Sequence, residues 1–137
     1  MSPMSATQPR QRILIVDDDE MVRFVLRSVL TPGFDVVEAE SGEQAVEKFS
    51  GPEGPFSLVL MDMFMPGMSG PAALQKIRER APQARLVLLS GTPDHPPNGG
   101  NLPGVTFFPK PFVNDELLSM VRHELALHAQ ATALPAG

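Results

Sequence analysis

Three short runs constrain this chain more than anything else in it: ILIV at 13–16, SLVLM at 57–61 and RLVLL at 85–89. Each is apolar almost throughout, without the polar alternation of a strand that has one face in water. A strand of that kind is buried on both faces, which happens when a parallel sheet is covered by helices on each side. The segments between the runs carry apolar residues at helical rather than strand spacing. Short buried strands alternating with amphipathic helices are the pattern of a parallel α/β domain.

The helices can be placed from their caps and stops. Val22, Val25, Leu26, Val29 and Leu30 recur on one face of a helix over 20–30, which Thr31-Pro32-Gly33 ends. A short strand follows at 35–38. Ser41 and Gln44 form a capping box for a second helix, with Ala45, Val46 and Phe49 inward and Gly51-Pro52 as its stop. A third helix starts near Pro71, buries Leu74 and Ile77, and ends before Pro82. VTFF at 105–108 is a fifth strand, and Asn114 is the expected N-cap of a last helix that buries Leu117, Leu118, Val121 and Leu125. Residues 92–104, TPDHPPNGGNLPG, hold four prolines and three glycines. Proline removes backbone donors and glycine costs about 1 kcal/mol in a helix interior, so a long loop is expected there.

At 137 residues the chain suits one domain with one core. The reading is a polar lead-in over 1–11, a folded domain over 12–128 and a flexible tail over 129–137. A net charge of −5 with no basic stripe argues against a nucleic-acid partner. No apolar run approaches the roughly 18 residues of a membrane span, and the N-terminus lacks a secretory signal, so a cytoplasmic address without membrane attachment is expected. The absence of cysteine excludes disulfides and thiol chemistry.

Parallel α/β sheets hold their ligands at the carboxyl ends of the strands. Here those ends carry Asp17-Asp18-Asp19, Asp62, Ser90 and Lys110. Crowding Asp17, Asp18 and Asp62 is unfavourable unless a cation neutralises them, and magnesium is a hard ion suited to carboxylates. Asp62 then has the character of an acyl-phosphate nucleophile. Lys110, one of three lysines, lies between Pro109 and Pro111, a pre-positioned ammonium for charge on a transferring phosphoryl group. Ser90 offers a hydroxyl. Asp19 reads as a helix cap. The histidines (His95, His123 and His128) group into no site, and Met61, Met63, Met65 and Met68 read as packing around the strand end.

The stretches ILIVDDDE, LVLMDMFMPGMSG, LVLLSG and FFPKPF, in that order, resemble the receiver domain of two-component response regulators over residues 12–127. The resemblance implies a flavodoxin-like, doubly wound five-stranded parallel sheet of order 2-1-3-4-5. It implies that Asp62 is the phosphoacceptor and that Asp17, Asp18, Asp62 and the backbone carbonyl of Phe64 hold Mg2+. Ser90 and Phe107 would be the switch pair, Lys110 the active-site cation, and the Lys110–Pro111 bond is expected cis. Pro66 and Gly70 would shape the loop after Asp62. The expected partners are a histidine kinase or histidine phosphotransfer protein as donor, docking near the first helix and the loop after Lys110, with an effector protein downstream. No enzymatic turnover is implied beyond self-phosphorylation from a donor and slow self-dephosphorylation.

Two departures from the family pattern stand out. Phe64 occupies a position that is often polar, where a bulky ring would obstruct the hydrolytic water. Autodephosphorylation is therefore expected to be slow, and Phe64→Asn should accelerate loss of phosphate in a decay assay. The 92–104 stretch stands where receivers place a fourth helix, which is expected to be short or missing. Signalling would then proceed by loop ordering, seen as a change in amide exchange there on phosphorylation. Two alternatives compete: a pseudo-receiver used only for binding, and a magnesium-dependent haloacid-dehalogenase-like phosphatase with Asp17 as nucleophile and Asp19 as acid.

Overall fold

The computed structural model describes residues 11–51, 56–63, 65, 67, 70–81, 84–90, 105–110 and 112–132. Among these, five strands and four helices follow one another as β1 (Arg12–Val16), α1 (Glu20–Leu30), β2 (Asp35–Ala39), α2 (Gly42–Ser50), β3 (Leu58–Asp62), α3 (Gly70–Arg80), β4 (Arg85–Ser90), β5 (Val105–Pro109) and α4 (Asn114–Thr132). The strands form one parallel sheet in the order β2-β1-β3-β4-β5. The alternating runs predicted a parallel sheet covered by helices, and its order is the doubly wound one that the resemblance implied. The stretch at 92–104, where a helix was expected to be short or missing, lies outside the described residues.

The period of two along each strand explains why the runs have no polar face. Leu14, Val16, Val59, Met61, Leu86 and Leu88 point to one side and pack with Ala45, Phe49, Ala73, Leu74 and Ile77 of α2 and α3. Ile13, Ile15, Leu58, Leu60, Val87 and Leu89 point to the other and pack with Leu26, Leu30, Leu117, Val121 and Leu125 of α1 and α4. Met61, Met63 and Met65 are buried in the first layer, as packing residues.

The caps form where expected, with differences of detail. Ser41 Oγ accepts from the Gln44 amide at 3.0 Å, while the Gln44 side chain returns to the Glu40 amide, one residue before the cap. The last helix includes Asn114, and Leu117 N–H donates to the Val113 carbonyl at 2.9 Å, so Val113 and not Asn114 sits at its N-cap. That helix runs to Thr132, past the domain boundary expected at 128. On α1, Val25 is not in the core but 39% exposed, because Leu26 and Leu30 take the face turned to the sheet.

Candidate functional site

The sheet delivers the site residues to one rim. Asp62 is the last residue of β3 and Ser90 the last of β4, while Asp17 directly follows β1 and Lys110 directly follows β5. Backbone bonds extend the ladder past the strand ends: Asp17 N–H donates to the Ala39 carbonyl (3.2 Å), Met63 N–H to Leu89 (3.0 Å) and Lys110 N–H to Ser90 (2.7 Å). These bonds hold Asp17 and Lys110 as firmly as strand residues and bring the Ser90 and Lys110 backbones together.

From there the Lys110 ammonium reaches back over the rim. It donates to Asp62 Oδ1 at 2.9 Å and to Asp17 Oδ2 at 3.3 Å. Asp17 is 1% exposed, and its Oδ1 accepts from the Asp19 amide at 2.9 Å. Asp62 and Ser90 are buried, whereas Asp18 faces solvent. Carboxylate oxygens of Asp17, Asp18 and Asp62, one from each, lie within 4.8 Å of one another. Two carboxylates thus converge on one ammonium, with a third beside them. Burial pushes the Asp17 carboxyl above its ordinary range, with the neighbouring Asp62 charge acting the same way. Burial pulls the Lys110 ammonium down, but its bond to Asp62 and the charges of Asp17 and Asp62 outweigh this and raise it.

The acid cluster suits magnesium. Its donors are all hard oxygens, its charge exceeds what Lys110 neutralises, and its open side at Asp18 leaves room for the waters such an ion retains. Asp19 stands apart as the N-cap of α1, its Oδ1 accepting from Met21 N–H at 2.9 Å. The phosphatase alternative needed that side chain as a general acid.

Gly70 shows why the segment after Asp62 folds as it does. A Cβ there would lie 2.5 Å from the Asp62 carbonyl oxygen and 3.1 Å from Met63 Cα, so only glycine lets α3 start against the end of β3. Gly67 sits at a φ of +79°, in the left-handed region. Phe107 is half-buried against the α2–α3 layer. Phe64, Pro66, Met68, His95 and Pro111 lie outside the described residues, as does the His128 side chain; His123 is exposed on α4.

One contributor escaped the sequence reading. Arg23 of α1 donates through Nη1 to the Asp17 carbonyl (2.7 Å) and through Nε to Glu38 (3.0 Å). A trace of it was present: Arg23 and Arg27 are like charges one turn apart, an unfavourable pair unless an acid from elsewhere serves both. Beside the site, Met21, Val22, Val25, Phe112 and Lys110 line an open, mostly apolar groove of about 390 Å³.

Comparison with known proteins gives the family. The family model of the response regulator receiver domain matches residues 13–122. The chain is 39% identical over 118 residues to the chemotaxis protein CheY of Bacillus subtilis strain 168, covering 83% of this chain and 97% of that one. It is 32% identical over 117 residues to the sensor kinase CckA of Brucella abortus strain 2308, covering 82% of this chain and 12% of the kinase. The crystal structure of the receiver domain from the hybrid histidine kinase CckA matches with a TM-score of 0.67 at 35% identity, covering 83% of this chain and 98% of that one. This chain belongs to the response regulator receiver domain family of two-component signalling, and its sheet has the flavodoxin-like receiver topology.

Proposed function

We propose that this protein accepts a phosphoryl group on Asp62 from a phosphohistidine donor and signals through the change that follows. The observation that carries the reading is the Lys110 ammonium bonded at once to Asp62 and Asp17 beside a third carboxylate. An oxygen of the Asp62 carboxylate attacks phosphorus, a P–O bond forms, the P–N bond to the donor imidazole breaks, and that nitrogen keeps the electron pair and takes up a proton. Lys110 stabilises the charge that builds on the phosphoryl oxygens. A magnesium ion held by Asp17, Asp18 and Asp62 would supply further neutralisation of that charge when bound. Ser90, buried at the adjacent strand end, would give its hydroxyl to a phosphoryl oxygen, and half-buried Phe107 would move inward with it.

The donor is a histidine kinase or a histidine phosphotransfer protein. The groove of Met21, Val22, Val25 and Phe112 opens beside Lys110, where a donor helix could bury apolar residues as its histidine reaches Asp62. Met21 and Phe24, 67% and 62% exposed, extend that apolar surface along α1. No helix among the described residues is long and apolar enough to cross a membrane. An effector protein would read the phosphorylated state.

The test is intact-protein mass after incubation with a small acyl-phosphate donor, with and without magnesium, for the wild type and Asp62→Asn. One magnesium-dependent phosphoryl adduct, absent from the variant, is the expected result. An unmodified wild type that still binds magnesium and a purified kinase would replace this reading with a binding-only role.

A further inference from the structure

We infer that Arg23 is a positioning residue for the metal-binding turn: anchored by Glu38, its guanidinium fixes the Asp17 carbonyl and with it the presentation of Asp17 and Asp18 to a divalent cation. The inference rests on the magnesium reading given above and adds a residue outside the acidic cluster itself.

Asp17 is held from two directions. Its carboxylate faces the rim, bonded to Lys110 and to the Asp19 amide. Its peptide carbonyl faces the other way, into Arg23 Nη1 at 2.7 Å. The carbonyl belongs to the peptide unit joining Asp17 to Asp18, so fixing it limits rotation of the plane from which both carboxylates are aimed. Asp18 is exposed, so a fixed peptide plane does more to set its direction than it would for a buried side chain.

An isolated cation this close to three carboxylates would compete with a metal ion. Arg23 is not isolated. Its Nε bonds Glu38 Oε1 at 3.0 Å, and the other oxygen of Glu38 accepts from Arg27 Nη1 at 2.8 Å. Glu38, shared between the two arginines, offsets part of the Arg23 charge, and Arg23 retains the hydrogen bond to the carbonyl. A guanidinium can span both acceptors because its donors are held in one rigid plane; a lysine ammonium on a flexible stem has no such fork. Arg27 provides an internal control, since it bonds the same glutamate from the next turn with its side chain half exposed.

The experiment is calorimetric titration of magnesium at fixed ionic strength into the wild type, Arg23→Met, Arg23→Lys and Arg27→Met, with the Tm of each. Arg23→Met should weaken magnesium binding about tenfold and Arg23→Lys nearly as much, with Arg27→Met within about twofold of wild type. Should Arg23→Met fail to fold, Arg23→Lys, which keeps the charge, decides the point. Unchanged affinity in the Arg23 variants overturns the inference and leaves the metal site standing. Equal weakening in Arg27→Met also overturns it, by assigning the effect to general loosening of α1. A wild type that binds no magnesium overturns the metal reading and this inference together.

Discussion

Two clusters of charge sit at opposite ends of the same sheet, and they are built on different principles. At the carboxyl rim, Asp17 and Asp62 bond Lys110 and Asp18 lies beside them, a surplus of negative charge. At the amino end, Glu124 of α4 is 2% exposed and bonds Arg85 Nε of β4 at 2.9 Å and Thr106 Oγ1 of β5 at 2.7 Å. There one carboxylate meets one guanidinium and one hydroxyl, each of its oxygens accepting one bond. The balanced cluster ties the last helix to two strands. The unbalanced one holds an excess of negative charge that a bound cation would relieve. Among the described residues no buried side-chain nitrogen or oxygen lacks a partner, so an excess of charge, not a missing hydrogen bond, distinguishes the functional end.

That contrast can be broken most forcefully at the balanced end. Glu124→Ala leaves Arg85 facing an apolar layer and Thr106 unbonded, and should cost about 3 kcal/mol in urea unfolding. Arg85 keeps 24% of its side chain in water, which holds the cost to the lower part of the usual range. Magnesium affinity should not change, because the cluster lies at the far end of the strands.

At the rim the signs reverse. Magnesium at a hundredfold excess over its Kd should stabilise the wild type by about 2.7 kcal/mol, read as a rise in Tm, with no such gain in a variant lacking the acids. Asp17→Asn should raise Tm in the absence of metal by less than magnesium does, while weakening magnesium binding. Its folded carboxyl is pushed above its ordinary value, first by burial, so ionising it in the fold is unfavourable. Between the ordinary and the raised value the folded state holds the extra proton, so stability falls as pH climbs through that window. The asparagine variant should lack that slope in a pH series of Tm values. The smallest effect concerns Lys110, whose ammonium is raised. Its contribution is complete below about pH 10.5, where a free lysine titrates, and is lost as pH rises through the higher folded value. One quarter of that side chain is exposed, so solvent screening keeps this alkaline loss small, and Lys110→Met should remove it.

Strands, helices and the rim residues were legible because they depend on local pattern. An apolar run such as ILIV can satisfy both of its faces only inside a covered sheet, and a parallel sheet brings every strand's carboxyl end to one edge. Asp17, Asp18, Asp62, Ser90 and Lys110 could therefore be gathered from their places in the chain alone. The capping box at Ser41 and the cap at Asp19 are equally local.

What the chain order did not disclose depends on partners far away. Glu124 meets Arg85 across 39 residues and Thr106 across 18, and on sequence alone it is one more charge on a mixed helix face. Arg23 belongs to the rim only because β2 lies beside β1 and brings Glu38 under α1. Asp17 and Asp18 are adjacent acids of identical chemistry, yet one is buried and the other exposed, because the peptide between them turns at the end of the strand. Residue types and their order were sufficient for a covered parallel sheet and for the acids, hydroxyl and lysine at its rim. Only the folded arrangement decided which carboxylate is desolvated, which arginine holds it and which acid serves the fold, since burial and pairing arise from contacts made across the chain rather than along it.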